Sequence, residues 1–433
     1  MHTGGNCACC PPVSAGIRLD KLKNCNDMKR TLFCSAIVAV AVLALQGCRC
    51  DNGHGLAFAS PEEMGMNPEK LSRVDSVINK AIEEHQMPGA VLSVVRDDKI
   101  VFLKAYGNKS VVPDTVAMTT DAIFDLASCS KPIGTTLSFM QLIEDGYVRL
   151  TDNVDRYIPG FAPWVDPDTG KKVDITVQDL LTHSSGLPAY VAVDRLASRF
   201  GEPCPDSLMY HIARELPRNF RPKTDFTYSC LNFVTLQNIL QNVTGQKLED
   251  YAQKNVFDAL GLEHTCYNVY KHPELMPYVV PTEVQADGKP LLGTVHDPIA
   301  WRLNAGNSGN AGVFSSAGDL SVIAAAIMNG GAVNGRRILG PLTVELMATM
   351  PADNDPEIGR SLGWDVLNWG KGDIFDRTRT LDHNGYTGTL VVIDLESKTA
   401  VILLANRVHP EDKGNLSRVR ATVCNIVAGS IEK

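Results

Sequence analysis

The chain has 433 residues, of which 44% are hydrophobic and 21% charged, with a formal net charge of −8 at pH 7. This is ordinary globular composition; it excludes a disordered or collagen-like chain and leaves room for a sizeable core. The acidic balance, with no basic run beyond KLKNCNDMKR near the start, argues against nucleic-acid binding and toward small-molecule or peptide substrates.

Seven of the twelve cysteines (Cys7, Cys9, Cys10, Cys25, Cys34, Cys48 and Cys50) fall in the first fifty residues. The other five, Cys129, Cys204, Cys230, Cys266 and Cys424, are scattered and odd in number, so no disulfide framework emerges. Cys7, Cys9 and Cys10 have no matching histidine or second cysteine pair at a usable distance, and no metal or organic cofactor is expected. Met28, Lys29 and Arg30 form a positive start, followed by an apolar core from Leu32 to Leu45 that is short for a membrane span. The LQGC that follows resembles the bacterial lipobox, which implies that Cys48 becomes a lipidated first residue; an ordinary cleaved signal is the alternative. Residues 1–27 are therefore expected to be an over-long start, 28–47 a lipoprotein signal peptide and 48–59 a tether. The expected location is the bacterial cell envelope, lipid-anchored and facing the periplasm or the outside.

A domain over residues 60–430 follows. Ser60 to Glu63 reads as a helix-starting capping box. Leu71, Val74, Val77, Ile78 and Ala81 then share one helical face. Residues 88–107 are two β-rich runs around Asp97 and Asp98, which predicts a hairpin. In FDLASCSKPIGTT, Ser128 and Lys131 sit three apart, and Ile133, Leu137, Met140 and Ile143 continue at helical spacing to Gly146, predicting a helix from about Ser128 to Asp145. The stretch to about residue 350 is mostly helix and loop. It includes LLTHSSGLP (180–188), where His183 at a helix end suggests a structural hydrogen bond, and FTYSCLNFVTLQNIL, where Tyr228 precedes a buried helix. His383 precedes a β-run, residues 387–407 predict a second hairpin turning near Glu396 to Lys398, and Val419, Val423, Ile426 and Val427 give a closing helix. His296 and Asp297 are expected to shape a loop near the cleft. The predicted fold is α+β: an antiparallel sheet from N- and C-terminal strands, flanked by terminal helices, with a large helical insertion.

With Ser128-Cys129-Ser130-Lys131, Tyr228-Ser229-Cys230 and His383-Asn384-Gly385 in this order, nearly all of residues 60–430 resembles the serine beta-lactamase and penicillin-binding superfamily, nearest its class C, esterase and D-aminopeptidase branch. GVFSSAGDL (312–320) and LLANRVHP (403–410) carry the same resemblance. It implies a covalent acyl-enzyme. A neutral serine is a poor nucleophile and needs a base within about 3 Å, and Lys131 lies one turn away. Burial and the helix N-terminus disfavour its ammonium form, so a partly neutral lysine is expected. By resemblance, Tyr228 completes the proton relay, the amides of Ser128 and Tyr386 form the oxyanion hole, and His383 and Asn384 line the acyl wall. Gly385 would let the strand edge approach substrate.

Two departures bear on substrate. Cys230 stands where that family has an asparagine, so the amide is missing unless Asn232 substitutes, and cysteine is a weak hydrogen-bond partner. His383 stands where others carry a lysine, and its charge follows pH. Both favour an ester or D-amino-peptide substrate over a beta-lactam, with weak or no beta-lactamase activity. The alternatives are a D-alanyl-D-alanine carboxypeptidase of cell-wall peptides and a non-catalytic penicillin-binding relative. The expected partners are such small substrates and, through a lipid anchor, a membrane, with the protein itself a monomer.

Overall fold

The computed structural model describes residues 55–368 and 370–433, so the expected start, signal segment, Cys48 and the tether up to residue 54 lie outside the described residues. The described chain opens with the short strand β1 (Ala57–Phe58). Ser60 and Glu63 exchange the expected bonds, Ser60 N donating to Glu63 Oε2 at 3.0 Å and Glu63 N to Ser60 Oγ at 3.3 Å. They close a turn and not a helix, because Gly65 at φ +70 redirects the chain; the first helical turn comes at Pro68–Leu71 under an Asn67 cap. The amphipathic run then forms helix α1 (Val74–Glu83), burying Val74, Ile78 and Ala81.

The hairpin follows as β2 (Gly89–Arg96) and β3 (Lys99–Ser110), with Asp97 at φ +55 in its turn. After β4 (Val116–Ala117) and β5 (Ile123–Asp125), the segment with Ser128 is helical but not one regular helix. It is a single 3-10 turn, Ala127–Cys129, then wide π-type turns over Lys131–Thr136, and only then helix α2 (Leu137–Glu144). Two local reasons are visible. Pro132 has no N–H to donate, and Gly134 lies so close to Tyr267 that a Cβ there would come within 2.4 Å of its hydroxyl oxygen. The central region contributes helix α3 (Cys230–Thr244) and strands β6 (Cys266–Tyr267) and β7 (Val313–Ser316), which leads directly into helix α4 (Ala317–Met328). The C-terminal part supplies β8 (Thr380–Asn384), β9 (Leu390–Asp394), β10 (Thr399–Ala405) and helix α5 (Ser417–Ser430).

The main sheet runs β1-β3-β2-β10-β9-β8, with β4 added to β3. Its first and last parts come from the two ends of the domain, joined where β2 pairs antiparallel with β10. Period-2 alternation assigns each side chain to a face. Ala90, Leu92 and Val94 of β2 and Val401 and Leu403 of β10 pack with Leu71, Val74 and Ile78 and with Val423 and Val427 of α5. Val91, Val95, Ile402 and Leu404 turn the other way, into the core shared with α4 and the central helices. Both faces are therefore covered, which explains why β2 is buried along its whole length. A second sheet, β5-β7-β6, was not legible in the sequence; it holds the start of the Ser128 segment against β7.

The edge of the main sheet is stitched to that segment by side chains. Thr387 Oγ1 donates to the Asp125 carbonyl at 2.8 Å, Thr389 Oγ1 to the Leu126 carbonyl at 2.9 Å, and Cys129 Sγ to the His383 carbonyl at 3.3 Å. Gly385 lies in this seam. A Cβ there would meet Thr389 Oγ1 at 2.1 Å and the Leu126 carbonyl oxygen at 2.4 Å, so the close approach that requires glycine is to the protein's own backbone. Gly385→Ala is expected to cost about 1–3 kcal/mol by overpacking and to lower the midpoint of thermal unfolding; an unchanged midpoint would show that the seam is not tight.

Candidate functional site

Ser128 sits in the turn between β5 and the π-type turns, and the turn is strained. Ala127, just before it, holds φ +45, a region that non-glycine residues seldom occupy. The buried Asp125 carboxylate fixes this backbone. Its Oδ1 accepts from Ala127 N at 2.8 Å and its Oδ2 from His296 N at 2.7 Å, tying the serine turn to the 296 loop. Burial raises the Asp125 pKa, and these two backbone donors oppose the rise.

Lys131 has no solvent exposure. Its Nζ donates to Ser128 Oγ at 3.0 Å and to the Asn310 carbonyl at 2.9 Å, and lies 3.6 Å from Cys230 Sγ. The same nitrogen is 4.9 Å from the centre of the Tyr228 ring. Burial pulls its pKa down, as expected, but Cys230, Tyr228 and Asp297 raise it by more, and the net is above the ordinary value. The expectation of a partly neutral lysine is therefore corrected: the resting side chain is an ammonium. Burial also raises the Tyr228 phenol, which Lys131 opposes by favouring the phenolate. The Tyr228 hydroxyl oxygen is buried with no hydrogen-bond partner within the protein.

Tyr228 is held from three sides. The His183 ring lies 4.6 Å from it, and Arg360 faces it at 5.5 Å, so two cations, Lys131 and Arg360, bracket one phenol ring. His183 is structural, as its helix-end position suggested. Its Nδ1 accepts from Ser229 N at 3.0 Å, which puts its proton on Nε2 and fixes the backbone directly after Tyr228. Asn232 does not stand in for the missing amide. It is fully buried and committed inward, accepting from Ser185 Oγ at 2.6 Å with its amide 3.2 Å from His183 Nδ1. Cys230 itself occupies the place beside Lys131, and burial keeps its thiol pKa raised.

Two cavities meet at the serine. One, of about 280 Å³, is lined by Ser128, Tyr228, Arg360, Asp365, His383, Asn384 and Tyr386. The other, of about 570 Å³, shares Ser128, Tyr228 and Tyr386 and adds Cys230, Tyr190 and Asp297 among its lining. Tyr386 is 55% exposed, and its ring, at the rim, is stacked at 5.8 Å on His296 while its hydroxyl donates to Asp412. His383 and Asn384 line the wall where they were expected. His383 does not carry charge: burial, then Arg360 and Lys131, hold its pKa well below the usual histidine value. Sequence reasoning missed Arg360, Asp365 and Asn310, which sit in no motif and reach the site only through the fold. Among the described residues, no group of three or more His, Cys, Asp or Glu could hold a metal ion.

Set beside known proteins, this architecture has many relatives. The family model described as beta-lactamase matches residues 74–423. A curated relative from Escherichia coli strain K12, named provisionally as a D-alanyl-D-alanine carboxypeptidase, is 28% identical over 407 residues, covering 88% of this chain and 92% of its own. Among solved structures, EstCE1, a hydrolase with promiscuous acyltransferase activity, aligns with a TM-score of 0.66 at 22% identity over 83% of this chain and 99% of its own. The octameric penicillin-binding protein homologue from Pyrococcus abyssi aligns at 0.63 and 20% identity over 83% of this chain and 77% of its own. At these identities the two structures speak to the fold alone.

The protonation states carry a direct check. Burial and neighbouring cations disfavour imidazolium at His183 and His383, so protonation of both waits for pH well below 6.5. Of the ten histidines, these two are expected to keep neutral-ring nitrogen shifts by NMR from about pH 8 to about pH 5.5. A titration midpoint above about 6 for either would contradict the packing described.

Proposed function

The chain belongs to the beta-lactamase family, a family of serine hydrolases, and from that premise we propose that it forms a covalent acyl-enzyme at Ser128 with Lys131 and Tyr228 as its proton relay. The observation that carries the reading is a lysine with no access to water whose Nζ lies 3.0 Å from the serine oxygen. The base is the Lys131–Tyr228 pair in the form that carries one proton fewer, an ammonium beside a phenolate; burial keeps the phenol's pKa above its ordinary value, so this form is the minor, reactive one. Ser128 Oγ forms a bond to the substrate carbonyl carbon while its proton passes to that phenolate. The tetrahedral intermediate then expels its leaving group, which takes the proton from Tyr228, and water later releases the acyl group and regenerates Ser128. The amides of Ser128 and Tyr386 are assigned to the developing oxyanion, each such donor being worth about 3 kcal/mol.

Substrate preference follows from the wall. With Cys230 in place of an amide, Asn232 turned inward and His383 uncharged, the reading is an ester or D-amino-peptide hydrolase with weak or no beta-lactamase activity. The name of the Escherichia coli relative supports the second reading, a D-alanyl-D-alanine carboxypeptidase. A non-catalytic penicillin-binding relative is the third, and the intact trio of Ser128, Lys131 and Tyr228 weighs against it. We also propose, from the LQGC stretch, attachment of lipid at Cys48 and a position facing the periplasm or the outside of a bacterial envelope.

A fluorophosphonate is expected to label the purified domain and p-nitrophenyl acetate to be turned over, and Ser128→Ala to abolish both; labelling that survives the substitution removes Ser128 from the mechanism. Lys131→Met is expected to fold and to slow acylation by about 10²-fold or more, so near-normal turnover would exclude it from the relay. For the anchor, radiolabelled palmitate should enter the full chain and not Cys48→Ala, and equal incorporation ends that proposal.

A further inference from the structure

The closing helix reaches the strand edge beside Ser128 through one residue that the proton relay does not use. Arg420 lies in the first turn of α5, and its Nη2 donates to the Gly385 carbonyl at 2.9 Å and to the Thr389 carbonyl at 3.1 Å. Gly385 N donates to the same Thr389 carbonyl at 2.8 Å, and Gly388 N adds a longer bond to the Gly385 carbonyl at 3.2 Å. The Gly385 carbonyl belongs to the same peptide group as the N–H of Tyr386, the second donor assigned to the oxyanion. In a trans peptide the two point in opposite directions. A donor fixed on the carbonyl from the α5 side therefore turns the N–H away from α5, toward the cleft that Tyr386 lines with Ser128. Among the described residues that N–H has no acceptor.

This peptide group needs such a hold. Position 385 is restricted to glycine by the seam with Leu126 and Thr389, and glycine resists rotation of an adjoining peptide plane less than any other residue. Turned over, the group would present its carbonyl oxygen to the reacting centre and repel the negative charge that forms there. The placement of Arg420 is unfavourable in itself. A cation in the first turn of a helix opposes the helix dipole. Its Nε is buried and has no partner within the protein. Burial lowers its pKa to about 10, which leaves the guanidinium charged at neutral pH. The neighbouring Asp382 carboxyl is pushed up to about 8 by burial and by Asp365, so it is mainly uncharged and does little to balance that charge. Arg407, a second cation near this turn, is paired with Asp412.

We propose that Arg420 is a positioning residue for the oxyanion hole: without lining either cavity, it fixes and polarises the Gly385–Tyr386 peptide so that the Tyr386 N–H meets the oxygen that becomes negative during attack by Ser128. A hydrogen bond on a carbonyl makes the N–H of the same peptide a stronger donor, by about 10–30% per bond. As a statement about catalysis this rests on Ser128 being the nucleophile; as a statement about the peptide group it does not.

The test separates the two. The full chain labelled with 15N-tyrosine carries eleven labelled backbone amides, and the Tyr386 signal is the one lost in Tyr386→Phe. In Arg420→Met the Tyr386 amide proton is expected to move upfield by more than any of the other ten. Arg420→Lys, which retains a cationic donor, is expected to lie between, and it carries the same test if the methionine variant does not fold. With p-nitrophenyl acetate, kcat is expected to fall about tenfold or more in Arg420→Met and less in Arg420→Lys. Acylation and deacylation both pass through an oxyanion, so KM is expected to stay within about twofold. A Tyr386 signal that stays in place, or a lowered midpoint of thermal unfolding with kcat unchanged, leaves Arg420 a structural residue and overturns the proposal. Should the amide respond to Arg420 while the unsubstituted chain turns over no ester, the hold on the peptide stands and the hydrolase reading is what fails.

Discussion

A lysine sealed from water must have its charge met from within, and the centre of this molecule is arranged around that requirement at Lys131. Leaving a buried ammonium uncompensated would cost several kcal/mol. Three segments far apart in sequence converge to prevent it: Ser128 and the Asn310 carbonyl as acceptors, and the Cys230 sulfur beside them. The Tyr228 ring face adds the attraction of its quadrupole at 4.9 Å. The same convergence that satisfies the charge therefore sets the serine, the amine and the phenol within reach of one another.

That convergence is useful only if the turn bearing Ser128 stays fixed against the sheet edge across the cleft. The hydroxyls of Thr387 and Thr389 and the thiol of Cys129 donate to backbone carbonyls across the seam, and Gly385 allows the two segments to approach too closely for any Cβ. Asp125 anchors the other side through Ala127 and His296. A positive φ at Ala127 is tolerated because its surroundings leave no alternative. Strain at the nucleophile's neighbour and over-determination of its backbone are two aspects of the same design.

What could be read from the sequence was local or periodic. Both hairpins, the two terminal helices and the pairing of chain ends follow from alternation of apolar residues and from turn residues such as Asp97 and Lys398. Ser128, Lys131 and Tyr228 were legible because their spacing forms motifs. Arg360, Asn310 and Asp365 were not, since each is an isolated polar residue in a loop and only the tertiary fold brings it to the cleft. The lysine's charge state was misjudged for the same reason. Burial can be anticipated from an apolar helical run, but the balance of Cys230, Tyr228 and Asp297 around one nitrogen depends on distances that sequence spacing does not contain. Gly385 was marked as a point of close approach, and within the protein the groups that approach it are the Thr389 hydroxyl and the Leu126 carbonyl.

The electrostatic division of the cleft follows from these unforeseen residues. Tyr228 stands between two cations: Lys131, which governs its proton, and Arg360, which faces the smaller cavity. Lys131 favours negative charge on the phenol oxygen, against the burial that raises its pKa. The neutrality of His383 matters here, because a third cation on the same wall would stabilise the phenolate further and make it a weaker base toward the serine proton.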